Sequence, residues 1–362
     1  MLKYKPNFDQ TRQHFLDWWD HKGLVVGAWN PPVVETPIEF VPDPGPAPDR
    51  RSAFCEAGPR AQRMQRLLAA GWYGLDILPV AVPEFGPGSL GTFLGCEPQF
   101  GESTIWYDHP WADLANPEAA PPLRLDEGNA WWRKHLEVID AMVARSQDTF
   151  MVGCPDLIEN IDVLATLRGN MALLMDLMDR PAWVEQKLWE INEVWFAAYQ
   201  RIYDRIRLAD GGSVFWAYLL WSPGKVAKVQ CDASAMLGPE MFRRFVVPPL
   251  RQQCAWLDHS CYHLDGSEAV QHLDALLEIP ELDAIEWTPD MKVPPGGDPC
   301  WYDLYRRIKA AGKSVQVWQI RPDQVVPLLD AVGPEGLYLL CIFKDAREAE
   351  ALARRVEPYR KG

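Results

Sequence analysis

The chain has 362 residues, 48% of them hydrophobic and 24% charged, as in an ordinary globular protein. A formal net charge of −14, with no cluster of lysine or arginine, argues against nucleic-acid binding. No apolar run approaches the roughly 20 residues of a membrane helix, and "MLKYKPNFDQTRQHFLDWWDHK" has no signal-peptide core. The expected setting is therefore cytoplasmic, with no membrane partner.

The eight cysteines include no CxxC pair, so most are expected to be small buried apolar residues rather than a disulfide framework. Seventeen tryptophans exceed what core packing usually needs, which points to rings lining a ligand cavity.

In chain order, Phe8, Phe15, Leu16, Trp18 and Trp19 predict an amphipathic helix over 8–22. Residues 30–51 are proline-rich and read as an extended arm. A helix follows to Ala70, closed by Gly71. Apolar runs then alternate with helical segments. The runs are 75–82, 149–155, 213–220, 225–232, 260–265, 282–287, 314–320 and 336–343, and the helices are 129–147, 170–208, 239–257, 267–278, 301–311, 322–331 and 345–357. Near-continuous apolar strands joined by helices predict a parallel sheet covered on both faces. Eight of them predict a (β/α)8 TIM barrel, with residues 1–74 as N-terminal helical and proline-rich decoration, 75–362 as the barrel, and one structural domain overall. The short "SPGKVAK" link between the third and fourth runs is the flaw in this pattern. No GxGxxG follows an early strand, so a dinucleotide-binding sheet has little support.

A barrel gathers its active site at the C-terminal strand ends. Those ends carry Glu84; Cys154, Asp156 and Glu159; Trp216, Tyr218 and Trp221; Asp232; His263 and Asp265; Glu286 and Trp287; Trp318 and Gln319; and Cys341 and Lys344. His263 and Asp265 are two apart, so on a regular strand they share one face. Imidazole, carboxylate and thiolate are zinc ligands, and His263 and Asp265 with Cys341 or Glu286 complete such a set. A metal-free alternative uses Asp265 and Glu286 as acid and base, as in a hydrolase or lyase, with tryptophans stacking the substrate. A third reading is a binding barrel without chemistry.

The stretches "NIDVLATLRGNMALLMDLMDRPAWVEQKL", "DASAMLGPEMFRRFVVPPLRQ" and "YHLDGSEAVQHLDALLEIPELDAIEW" occur in an order that resembles the uroporphyrinogen decarboxylase superfamily over about two-thirds of the chain. The resemblance implies a (β/α)8 barrel and divides into two activities. The decarboxylases carry an Arg-rich N-terminal stretch that holds substrate carboxylates, whereas "VVGAWNPPVVETPIEF" has no arginine. The zinc methyltransferases that work with corrinoid proteins carry H-x-C on one strand and a cysteine near the last. Here His263 and Cys341 match, and Asp265 replaces the middle cysteine. The expectation is thus a metal-dependent, most readily zinc, methyltransferase acting on a small methylated substrate or a corrinoid methyl group. Asp265, Glu286 and Asp232 are the candidate catalytic groups, with Asp156 and Asp232 orienting ligands, and Trp216, Tyr218, Trp287 and Trp318 forming the cavity wall. With no D-x-H-x-x-G segment, any corrinoid would arrive on a partner protein. Members of the superfamily are often dimers, so a homodimer is the expected assembly.

Overall fold

The computed structural model describes residues 2–102 and 104–360. Strands β1 (Leu24–Ala28), β2 (Val80–Ala81), β3 (Met151–Val152), β4 (Ser213–Phe215), β5 (Val226–Gln230), β6 (His259–Asp265), β7 (Ala284–Thr288), β8 (Ser314–Ile320) and β9 (Leu337–Cys341) alternate with helices. Six of them form one parallel sheet in the order β1-β9-β8-β7-β6-β5. β2 and β3 pair separately in parallel, and Cys154 bridges Phe215 in parallel. Asp76 joins β1 to the segment leading into β2, donating its backbone N–H to the Val26 carbonyl and accepting the Val26 N–H on its carboxylate. The architecture is TIM-barrel-like. Among the described residues no helix is long and apolar enough to cross a membrane.

Two features depart from the expected pattern. β1 was not among the eight anticipated runs, yet "LVVGA" is buried throughout and pairs with β9. It is short and runs straight into the proline-rich arm, which masks it. The run 213–220 is not a continuous strand. Phe215 ends β4, Tyr218 and Leu219 take positive φ (65° and 52°), and Leu220–Ser222 returns antiparallel to β4. Both residues are costly in this left-handed region. The turn is pinned from the sheet, because Gln316 donates its amide to the Tyr218 carbonyl (2.7 Å) and Tyr338 its hydroxyl to the Leu219 carbonyl (3.2 Å). This turn explains why the "SPGKVAK" link is too short to be a crossover.

Helix α1 (Phe8–Trp19) packs across the N-terminal ends of the strands. The Trp18 indole donates to the Gly336 carbonyl (3.2 Å) and the Trp19 indole to the Trp221 carbonyl (2.9 Å). Phe15 meets Trp221 and Tyr338 edge-on. The base of the sheet is thus filled by aromatic packing, and the cavities that hold the predicted strand-end residues open at the opposite end.

Gly153 marks a close approach. A Cβ there would lie 2.6 Å from Cβ of Trp216 and 3.0 Å from Cγ1 of Val80. Gly153→Ala is expected to cost about 1–3 kcal/mol of stability through overpacking, measured by urea unfolding; an unchanged midpoint would contradict this packing.

Candidate metal centre

The register of the sheet builds the site. Gln230, His263, Glu286, Gln316 and Tyr338 are successive Cα partners across β5, β6, β7, β8 and β9. Side chains at one register position share a face, so these five polar groups form one row. One step below lies Lys228, the partner of Cys261. One step above lies Asp265, opposite Thr288, with Asp232 two residues beyond Gln230.

Within the row, His263 Nδ1 sits 2.5 Å from Glu286 Oε2, and the Glu286 side chain has no solvent exposure. Thr288 donates its hydroxyl to the other oxygen of Glu286 at 2.8 Å. Burial raises Glu286 well above the usual carboxylate range and, with the nearby Lys228 ammonium, lowers His263 well below the usual imidazole value. Both shifts disfavour an imidazolium. With Glu286 ionised and accepting the Nδ1 proton, a neutral imidazole has its lone pair on Nε2. That atom contacts the Tyr218 hydroxyl at 3.2 Å, and Tyr218 has a second partner in Thr288 Oγ1 at 3.4 Å.

Asp232, His263 and Asp265 each present one ligand atom, and the three atoms lie within 4.8 Å of one another. Burial raises Asp265 above its normal value, and the carboxylates of Asp232 and Asp290 raise it further. Burial also raises Asp232, against the attraction of Lys228. Lys228 is fully buried in a run of apolar neighbours. It ion-pairs with Asp156 at 2.8 Å and donates to the side-chain oxygen of Gln230. Burial alone would lower its pKa, but Asp156, Glu159 and Asp232 together raise it. Asp162 holds the backbone N–H groups of Asp232 (2.7 Å) and Ala233 (2.9 Å), fixing the loop that presents Asp232.

The other expected residues fall in two groups. Asp156, Trp216 and Tyr218 line a cavity of about 270 Å³ together with Asp232, His263 and Asp265. Trp318 faces Trp29 and Tyr218 edge-on, but lines a neighbouring space of about 370 Å³ with Cys341. Cys341 does not join the cluster. Its neighbour one residue back, Leu340, shares a face with Gly27, and the alternation of the strand turns Cys341 away. Its thiol is buried, lies 3.9 Å from the Leu339 carbonyl, and is raised far above a thiolate's range by burial. Trp287 is likewise one residue out of phase with Glu286. It is fully buried against Trp301 (4.8 Å between ring centres). His259 opens β6 and bonds the Ser222 hydroxyl.

Three contributors were not assigned by sequence reasoning. Lys228 carried a readable signal, a lysine inside a buried strand run. Trp29 directly follows β1, the strand absent from the anticipated runs. Glu84 was noted at a strand end without a role. Its Oε2 accepts from the Asp156 N–H (3.1 Å) and the Trp216 indole, and its side chain borders both the 270 Å³ cavity and an adjoining one of about 470 Å³. Burial first, and the Asp156 charge second, push Glu84 up to about 7.

No protein-family model matches the chain, and no curated protein matches it. Among solved structures it is similar to a methyltransferase from Methanosarcina mazei, with 11% identity, a TM-score of 0.60, and coverage of 96% of this chain and 98% of that one. At that identity the likeness shows the fold. Independently of that likeness, the Asp232, His263 and Asp265 cluster is a set of side chains that could hold a metal ion.

The raised Glu84 has a consequence for stability. The folded state keeps a proton that the unfolded chain releases above about 4.5, so its contribution is complete below that pH and is lost as pH rises through about 7. Between pH 5 and 8, metal-free wild type is expected to lose about 2 kcal/mol more than Glu84→Gln in denaturant unfolding. Parallel pH profiles would contradict the assignment.

Proposed function

We propose that this chain is a metal-dependent enzyme of the uroporphyrinogen decarboxylase superfamily, on its methyltransferase side. In this reading residues 1–74 and 75–362 form one structural domain. The sheet closes as a distorted (β/α)8 barrel, with the Trp216–Ser222 turn wedged between β4 and β5.

The observation that carries the reading is the orientation of His263. Glu286 takes up Nδ1, which leaves Nε2 as the imidazole's ligand atom, and Asp232, His263 and Asp265 each place a ligand atom within 4.8 Å of the others. A buried carboxylate behind a histidine is the usual support of a metal-ligating imidazole. One nitrogen and two carboxylate oxygens suit zinc, with a position left for an exogenous group. A metal bound there would act as a Lewis acid on the group that attacks or releases the methyl. Glu286 fixes the imidazole, Asp162 the Asp232 loop, and Lys228 holds Asp156 at the cavity wall. Tyr218 can turn its hydroxyl from Nε2 to Thr288. The methyl donor is a small methylated molecule or a corrinoid carried by a partner protein. The oxygen-rich ligand set makes a harder centre than one with thiolates. Acid/base catalysis by Asp265 and Glu286 is disfavoured, because Glu286 lies fully buried behind His263 and Thr288 and cannot reach a substrate.

Protein purified without added metal and then titrated with zinc is expected to bind one equivalent. His263→Ala should abolish binding, Glu286→Gln should weaken it by about 10–100-fold, and Cys341→Ala should leave it unchanged. Transfer of the methyl group of methylcobalamin to an added thiol, which gives the thioether, a proton and cob(I)alamin and is followed by visible absorbance, should require the metal and be lost in His263→Ala. Failure of correctly folded wild type to bind any divalent metal would overturn the proposal.

A further inference from the structure

The 270 Å³ cavity has two kinds of wall. One is aromatic. Trp29, from the end of β1, meets Trp216 (4.8 Å between ring centres, 62°) and Tyr218 (5.4 Å, 72°), so the rings meet at steep angles rather than stacking flat. All three are only partly buried, and all three border the cavity. The other wall is acidic, made by Glu84, Asp156, Asp232 and Asp265, and Lys228 is the one ammonium among the lining groups.

A charge count narrows what this space can take. A divalent metal at the proposed centre offsets Asp232 and Asp265, and Lys228 ion-pairs with Asp156. Glu84 remains. Among the described residues it makes no ion pair, its Oε1 receives no hydrogen bond, and it lines the cavity. The Arg60 guanidinium acts on Glu84 as a nearby charge, but its hydrogen bonds go to the backbone carbonyls of Phe54, Val82 and Glu84. A carboxylate without an ion-pair partner beside electron-rich ring faces favours a single positive charge spread over an apolar surface. An aromatic wall binds such a cation more strongly than a neutral molecule of the same shape. The volume, just under the roughly 300 Å³ of the smallest usual ligand pockets, limits it to a small molecule.

We propose that this cavity binds a small organic monocation, a methylated ammonium group, between Glu84 and the rings of Trp29, Trp216 and Tyr218. The charge count rests on the metal centre proposed above, and the inference names the substrate class of that same site.

The test is calorimetric titration with choline and with its neutral isostere 3,3-dimethyl-1-butanol, on metal-free and on zinc-loaded protein. The working pH is 8, above the value of about 7 to which Glu84 is pushed. Choline should bind both forms at least about 10-fold more tightly than the neutral isostere. Glu84→Gln and Trp29→Leu should each lose about 10-fold or more with zinc stoichiometry unchanged, while Trp29→Phe retains binding. Thermal unfolding of each variant separates loss of the subsite from loss of fold. Equal binding of the two probes, indifference to Glu84→Gln in a folded variant, or one-for-one displacement of choline by zinc would overturn the inference. Selective choline binding in a protein that takes no zinc would sink the metal centre alone.

Discussion

A buried carboxylate on one strand grips a histidine on the next, and the rest of the site is arranged around that contact. Glu286 and His263 are register partners on β7 and β6, so the sheet itself sets their separation. The pair is useful only because the strands are parallel and in phase. A slip of one residue would send both side chains to the other face. Thr288, two residues beyond Glu286, secures the second carboxylate oxygen, and Asp265, two residues beyond His263, brings a carboxylate oxygen into the same cluster.

Holding so many acids in one place is unfavourable unless they are compensated. The protein meets this in two ways. Several of the carboxyls are driven towards their neutral forms by burial, Glu159 and Glu286 most strongly, and others accept backbone N–H groups, as Asp162 does from Asp232 and Ala233. Lys228 supplies the one buried cation of the cavity wall. In the proposed reading, the residual acidity is what draws a metal to one end of the cavity and an organic cation to the other. Backbone strain is concentrated in the same region. Ile158, Asn160, Tyr218, Leu219 and Gln319 all take positive φ near the strand ends, and the turn that carries Tyr218 is held by Gln316 and Tyr338 from the polar row. The row therefore both orients the histidine and fixes a cavity wall.

Much of this was legible in the chain because strand periodicity is simple. The two-residue spacing of His263 and Asp265 placed them on one face, and β6, β7, β8 and β9 followed from apolar runs. What escaped has physical reasons. Trp287 and Cys341 were chosen for chemistry at a strand end, but a shift of one residue reverses the face. β1 is five residues long and merges into prolines, and the break after Phe215 is made by ordinary residues forced into left-handed conformations by tertiary hydrogen bonds. Lys228 and Glu84 take their meaning from Asp156, a residue about 72 positions away in each case, and no local pattern records such a partnership.

The central claim is that Asp232, His263 and Asp265 form a nitrogen–oxygen metal centre with no sulfur ligand. X-ray absorption at the zinc edge of the zinc-loaded protein measures this directly. The account predicts only light scatterers at about 2.0–2.2 Å, including one imidazole. A sulfur scatterer at about 2.3 Å would place a cysteine on the metal and contradict it.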